Sequence, residues 1–368
     1  MNHITPIIDV THKCNMGCKY CYAGSAWESF SGGKDLNKTF NSKIHLLFEF
    51  TDQVMSYNKN THTVFIFHGG EPLLINLKNW NNILSYFKEK DYPIEVNIQT
   101  NATLINEEFI NFFKKFNIKV GVSLDGPNFL NDSNRIFKNG KGSFSTIFKN
   151  LQKMKEAKFS FGCLVTLNKK NLDMLVIYDF FKKYNIPFNI RPIFDTKYSV
   201  PKEILITPYE YASAWCKLFD LWFDDETQPP SIGDFNDMVA RFIKPLPRLT
   251  TCTFVKDCSK DFIAFNMEGI LRPCNCLSDP DFYYGNIQEE NVAKLLNSPK
   301  VKELSNRWQR LSRTDCKDCE VSRYCYGGCP SRAYDYYGSY FNKDPFCEAY
   351  KVIFKHVYAR IKSSLKIE

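Results

Sequence analysis

The sequence contains no run of about 18 or more apolar residues, so no membrane span is expected. Its opening, MNHITPIIDVTHKC, lacks the basic and then apolar stretch of a secretory signal, and a cytoplasmic chain is the expectation. No block of about five basic residues occurs, which argues against a nucleic-acid arm. The net charge of +8 reads as a solvated, lysine-rich surface. Glycine and proline are sparse, at 17 each in 368 residues, which excludes collagen-like and linker compositions. Hydrophobic residues at 44% and charged residues at 24% exclude disorder. Internal repeats and low-complexity tracts are missing as well.

What is present in excess is cysteine, at 14 residues, and its distribution is uneven. Cys14, Cys18 and Cys21 cluster near the start, and only Cys163 and Cys216 precede position 250. Cys252, Cys258, Cys274, Cys276, Cys316, Cys319, Cys325, Cys329 and Cys347 fill the last third. In a reducing compartment such clusters point to metal or redox chemistry rather than to a disulfide framework. Cys163, in an apolar strand, and Cys216, in a helix, read as core residues.

Six short apolar runs alternate with helix-length segments up to about residue 195. The strands are expected at Thr5–Val10, Thr63–Phe67, Ile94–Ile98, Ile118–Leu124, Phe161–Thr166 and Phe188–Ile193. Helices are expected at Ser42–Tyr57, Leu77–Glu89, Glu107–Phe116, Ser143–Ala157 and Asn171–Tyr184, with Asn41 or Ser42, Asn106 and Ser143 as N-caps. Strand–helix alternation specifies parallel units, and six of them suit an open, partial (β/α)6 barrel of the TIM type. Helices at Pro208–Phe223 and Asp234–Lys244 flank a Gln228-Pro229-Pro230 break, and a last helix runs from Cys347 to about Leu365. The expected division is a barrel domain over 1–230 and a cysteine-rich α+β domain over 231–368. In parallel α/β folds chemistry gathers where strands end, so residues just after each strand are the ones to inspect.

The first strand runs into Cys14-Asn15-Met16-Gly17-Cys18-Lys19-Tyr20-Cys21, a C-x3-C-x2-C spacing. Three thiolates on one tight loop can hold three irons of a cubane and leave the fourth open. Structural zinc wants four protein ligands, and His12 is the one local candidate for a fourth. This motif resembles the signature of the radical S-adenosylmethionine (SAM) superfamily, C-x3-C-x-aromatic-C, with Tyr20 in the aromatic slot. The resemblance implies that Cys14, Cys18 and Cys21 hold a [4Fe–4S] cluster whose open iron chelates SAM. Reduction would then release a 5′-deoxyadenosyl radical that takes a substrate hydrogen. Later strand ends extend the resemblance. His68-Gly69-Gly70-Glu71-Pro72 is similar to the family's GGEP motif, with the glycines allowing close backbone approach and Glu71 suiting the SAM amine. Thr100 and Asn101 follow the third strand, Ser123 closes the fourth and Arg135 comes soon after; the resemblance makes all four SAM contacts.

Towards the C-terminus, Cys258 is separated from Cys274 by a stretch containing Gly269. Cys316-x2-Cys319-x5-Cys325-x3-Cys329 and then Cys347 follow. This resembles the SPASM domain, an auxiliary-cluster extension of radical SAM enzymes. By that resemblance Cys252, Cys258, Cys274 and Cys329 hold one auxiliary Fe–S cluster, and Cys316, Cys319, Cys325 and Cys347 hold a second. With the SAM cluster this makes three [4Fe–4S] clusters. Cys276 is left over; with it or water in place of Cys252, the first auxiliary cluster could bind a substrate thiolate. The bland alternative is a non-catalytic zinc-ribbon interaction protein with two four-cysteine sites.

SPASM-type enzymes mostly modify peptides. Anaerobic sulfatase-maturating enzymes, which oxidise Cys or Ser to formylglycine, share this length and cysteine layout. Their proposed base is an Asp directly after the cysteine that Cys274 matches, where this chain has Asn275, and they typically carry Gln in place of His68. Asn cannot usefully accept a proton. The run His68 to Leu74 and the run Ser123 to Pro127 resemble cyclophane-forming peptide maturases. The expected activity is therefore crosslinking of a ribosomally made precursor peptide, by a carbon–carbon or thioether bond. Asp125, Asp195, His68 and Tyr198 are the candidates for acid–base work. Expected partners are that peptide and an external electron donor of flavodoxin or ferredoxin type. The chain opens directly into its first strand, so leader recognition is expected to need a separate protein or another surface, such as a sheet edge. Metal analysis of anaerobically purified protein is expected to give about twelve irons per chain and no zinc. Stoichiometric zinc without iron would instead support the zinc ribbon.

Overall fold

The computed structural model describes residues 4–21, 35–195, 200–243, 252–277 and 279–365. Tyr198 lies outside them. Six parallel strands form at β1 (Thr5–Asp9), β2 (Thr63–His68), β3 (Ile94–Thr100), β4 (Lys119–Ser123), β5 (Phe161–Leu167) and β6 (Phe188–Pro192). Each neighbours the next in sequence, giving the order β6-β5-β4-β3-β2-β1 expected of an open barrel. Helices α1 (Leu36–Tyr57), α2 (Leu77–Glu89), α3 (Glu107–Lys115), α4 (Phe144–Glu156) and α5 (Met174–Lys183) connect them. Val, Ile and Phe recur at every second strand position on the face that meets these helices. Phe67, for example, sits edge-on to Trp80 of α2 at 5.0 Å, and both are fully buried.

The caps explain where the helices begin. Asn106 accepts from the Phe109 amide at 2.9 Å, as expected. α1 starts six residues before the expected Ser42, because Asp35 rather than Asn41 or Ser42 accepts from the Asn37 amide at 3.0 Å. Ser143 precedes α4 but makes no capping bond; its hydroxyl donates to the Arg135 carbonyl at 2.7 Å. After the barrel come α6 (Pro208–Phe223), opened by a Thr207–Glu210 capping box, and α7 (Gly233–Ile243).

The cysteine-rich part adds strands to the same sheet, a feature its cysteine spacing did not reveal. β7 (Phe262–Asn266) pairs in parallel with β1, and β8 (Ile270–Arg272) and β9 (Gly285–Asn286) follow antiparallel, making nine strands. β1 is therefore central, with Asp9 opposite His68 on one side and Asn266 on the other. The Phe50 ring of α1 stacks on Phe265 of β7 at 4.2 Å, so the two parts share one core. The last helix, α8 (Cys347–Leu365), returns to α6, where His356 Nε2 stands 2.8 Å from Asp220. Among the described residues no helix is long and apolar enough to cross a membrane.

An ion pair between Asp9 of β1 and Arg272 of β8 is almost wholly excluded from solvent, at 0% and 2% side-chain exposure. Removing one partner of such a pair strands the other charge in the interior. Arg272→Met is expected to lower unfolding free energy by about 3 to 5 kcal/mol, measured by chemical denaturation. A change under about 1 kcal/mol would show the pair to be dispensable.

Candidate functional site

The second face of the barrel sheet carries the partly exposed residues. Ile66 and His68, Asn97 and Gln99, Gly121 and Ser123, Leu164 and Thr166, Asn189 and Arg191 alternate with the buried set along their strands. This face leads to the C-terminal strand ends, where the first cysteine loop lies.

That loop is clamped from three sides. From the end of β2, the Gly70 amide donates to the Thr11 carbonyl at 2.8 Å and the Glu71 amide to the Lys13 carbonyl at 2.9 Å. The glycines are required there. Gly69 has φ +104°, and a Cβ on it would stand 2.5 Å from the Thr11 oxygen; a Cβ on Gly70 would overlap the Lys13 carbonyl. From the end of β3, the Asn101 amide group donates to Asn15 Oδ1 at 2.9 Å and approaches Cys14 Sγ at 3.8 Å. From the segment after β4, the carbonyls of Ile136 and Asn134 accept from the amides of Gly17 and Lys19 at 2.8 and 3.0 Å. Burial pushes the Cys14 thiol up to about 11 and the Cys18 thiol up to about 12. Only a strong electrophile would hold them as thiolates near neutrality.

Several expected site residues prove to be parts of this clamp. Glu71 is buried, and its carboxylate accepts from Thr100 Oγ1 at 2.7 Å, the Asn101 amide at 2.8 Å and the Leu73 amide at 3.0 Å. It fastens β3 to β2 instead of presenting a free carboxylate to an amine; burial raises it to about 7, against those three donors. Thr100 is likewise turned inward, its hydroxyl also accepting from the Ala102 amide. Asp125 was expected as an acid–base group, yet it is fully buried and committed. Its oxygens take the Tyr20 hydroxyl, the Thr166 amide at 2.9 Å and Arg135 Nε at 3.2 Å. Both of its oxygens are engaged in that network rather than facing the open side of the sheet. Tyr20 is thereby locked, and the Arg135 guanidinium lies 5.2 Å from its ring centre.

Ser123 accepts from the Gln99 side chain at 3.0 Å on the open face. His68 Nδ1 lies 2.8 Å from the Gly69 amide nitrogen and 3.1 Å from the Gly69 carbonyl oxygen. Burial pushes its pKa below the usual histidine value, so it is neutral at pH 7. Asp195 is exposed just beyond β6, apart from the cysteine loop's clamp. His12 faces Glu268 at 3.7 Å. Sequence reading missed Asp9, which lies inside the expected first strand rather than after its end.

The remaining cysteines form two groups. Cys258 lies within electrostatic reach of Cys252, Cys274 and Cys329, and Cys276 of Cys252, Cys274 and Cys329. Cys325 lies within reach of Cys316, Cys319 and Cys347. Cys252 and Cys276 are exposed while the other three of the first group are partly buried. Asn275, between Cys274 and Cys276, is buried at 6% exposure with no hydrogen-bond partner for its side-chain oxygen. Cys163 is buried in β5, in the core.

Residues 8–181 match the Radical SAM superfamily and residues 257–320 match SPASM, an iron-sulfur cluster-binding domain; together these span more than half of the chain. The chain belongs to the radical SAM superfamily. It is therefore an enzyme, and the non-catalytic zinc ribbon is set aside. This radical SAM/SPASM chain is 29% identical over 356 residues to a cysteine-type anaerobic sulfatase-maturating enzyme of Clostridium novyi, covering 93% of this chain and 92% of that one. It is 25% identical over 374 residues to the radical SAM cyclopropyl synthase TigE of Paramaledivibacter caminithermalis, covering 98% and 75%. Its fold matches the structure of native anSMEcpe with bound AdoMet and Cp18Cys peptide, with a TM-score of 0.85, 23% identity and 99% of both chains covered.

The donor chemistry suits the cofactors of a radical SAM enzyme: the donors are thiols, three on one loop and the rest in two further stretches, although among the described residues no three His, Cys, Asp or Glu side chains converge as a ready site for a single metal ion. The terminal nitrogens of Arg135 make no hydrogen bond to a protein atom among the described residues, although the side chain is buried at 7% exposure. A glycine-lined approach holds the loop on the side of β2. Gly70→Ala is expected to displace the loop and cost about four irons per chain, with the remaining iron retained. Iron assay with electron paramagnetic resonance checks this, and wild-type iron content in the variant would contradict the clamp.

Proposed function

We propose that the chain is a peptide maturase that crosslinks a ribosomally made precursor by removing hydrogen from it. Cys14, Cys18 and Cys21 hold the SAM-binding [4Fe–4S] cluster in this reading. Cys252, Cys258, Cys274 and Cys329 hold one auxiliary [4Fe–4S] cluster, and Cys316, Cys319, Cys325 and Cys347 the other. When bound, these groups supply a 5′-deoxyadenosyl radical for hydrogen abstraction and a sink for the surplus electron. The protein's part is to place the substrate carbon and to exclude water. Arg135 near the loop and Asn101 and Ser123 at the strand ends hold SAM over the loop. The open sheet face between His68 and Arg191 receives the peptide. His68 on that face and Asp195 just beyond β6 are the acid–base groups of this reading.

The observation that carries this reading over its rival is Asn275. A buried amide stands where sulfatase maturation is proposed to use a carboxylate, and its oxygen has no partner. An amide can hold a peptide group but cannot take its proton. The rival, formylglycine formation in a sulfatase, is favoured by the sulfatase-maturating relative and by the matching fold. The proposed partners are the precursor peptide, a flavodoxin- or ferredoxin-type donor, and a separate leader-binding protein. A reducing cytoplasm suits the exposed thiols of Cys252 and Cys276.

The test offers the reconstituted enzyme a cysteine-type sulfatase peptide, using wild type and Asn275→Asp, with mass spectrometry as readout. Wild type is expected to leave the peptide unchanged, and Asn275→Asp to gain at least a trace of aldehyde. Formylglycine from wild type at many turnovers would replace the crosslinking reading with the rival.

A further inference from the structure

Arg307 is a buried cation with no acid at ion-pair distance among the described residues. Its side chain is 6% exposed, and all its hydrogen bonds go to main-chain carbonyls. Nε donates to Tyr340 at 2.6 Å; one terminal nitrogen donates to Gly328 at 2.9 Å and Tyr326 at 3.4 Å; the other donates to Gly327 and Asn342, both at 2.9 Å. Three of those carbonyls belong to the bridge from Cys325 to Cys329. That bridge is left-handed throughout, with φ of 49° at Tyr326, 78° at Gly327 and 71° at Gly328, which turns its carbonyls towards the guanidinium. A side chain on Gly327 would strike Leu311.

The two ends of this bridge belong to different thiol groups. Cys329 is in the first and Cys325 in the second. Arg307 is within electrostatic reach of Cys258 and Cys329 on one side and Cys316 on the other. Asp344 is also within reach, but Arg332 pairs with it at 2.6 Å. A guanidinium stays charged in proteins, and burying one without a counter-ion is costly. Five carbonyl dipoles lessen that cost without cancelling the charge. A four-thiolate [4Fe–4S] cluster is an anion, and becomes a more highly charged one on reduction.

We infer that Arg307 couples the two auxiliary centres: it fixes the bridge between them and, as a shared counter-charge, favours the one-electron-reduced state of both clusters. The inference rests on the ligand sets proposed above. Local charge and hydrogen bonding are among the factors that set Fe–S potentials. The carbonyls it binds at Tyr326, Gly327 and Gly328 lie between Cys325 and Cys329, one from each thiol group.

The test is a redox titration of the reconstituted full chain, followed by electron paramagnetic resonance, in wild type, Arg307→Gln and Arg307→Lys. Lysine keeps the charge but cannot hold five carbonyls; glutamine loses the charge. In Arg307→Gln, both auxiliary signals are expected to become harder to reduce. At a fixed potential the reduced-to-oxidised ratio should fall about tenfold, which is about 59 mV for a one-electron couple. Arg307→Lys should titrate near wild type. Loss of clusters in Arg307→Gln alone, with Arg307→Lys intact, also supports the charge. Equal shifts in both variants, loss of clusters in both, or a shift confined to one cluster or absent would overturn it. If wild type itself shows no pair of auxiliary signals, the ligand sets fail instead.

Discussion

Two backbone hydrogen bonds hold the site in register: Gly70 to Thr11 and Glu71 to Lys13. They lay the turn after β2 flat against the loop after β1, a contact that only glycine permits. Everything else at the strand ends follows from that approach. Glu71 is carried far enough to bind the start of the β3 loop, Asn101 is brought to Cys14, and the Cys18–Cys21 turn rests on the segment leading to Arg135. The loop's thiols are thus fixed by main-chain geometry before any metal arrives, and their order depends little on the cysteine side chains themselves.

Buried charge is the second organising constraint. The molecule keeps it in matched pairs where the pair can join elements: Asp9 with Arg272 across β1 and β8, Asp125 with Arg135 beside Tyr20, Asp344 with Arg332 next to Cys329. Asp125 and Asp344 also accept from main-chain amides and a tyrosine hydroxyl, whereas Asp9 Oδ1 and Arg272 Nε find no hydrogen-bond partner among the described residues. Arg307 departs from the pattern by pairing with carbonyls alone, and it does so on the segment joining the two thiol groups. A cation placed there without a carboxylate would leave its field for the two auxiliary clusters proposed on either side.

The sequence made the barrel legible because each strand alternates or runs apolar between clear turn residues. Leu77–Glu89 and Pro208–Phe223 stand where the periodicity and caps put them. Strand β7 was hidden because Phe262–Asn266 is short and embedded among cysteines, so spacing dominated its reading. Its pairing with β1 is a long-range contact that no local pattern encodes. Cysteine spacing pointed to the SPASM stretch that the family match covers at residues 257–320. The roles of Glu71 and Asp125 were not legible: a carboxylate after a strand looks the same in sequence whether it faces a ligand or bonds three neighbours. Burial decides that, and burial here depends on the approach of segments 30 or more residues apart, as with Glu71 and Asn101. Arg307 carried no motif at all; its position is defined by a left-handed bridge whose carbonyls converge in three dimensions.

The central claim is that the first cysteine loop carries SAM-cleaving chemistry. It is tested most directly by measuring 5′-deoxyadenosine after reducing the iron-reconstituted chain with SAM, beside a Cys14→Ala variant. The expected result is 5′-deoxyadenosine from wild type and none from Cys14→Ala, with the auxiliary iron retained in the variant. Absence of the product from a wild-type chain carrying its full iron, or equal amounts from both proteins, would contradict the account.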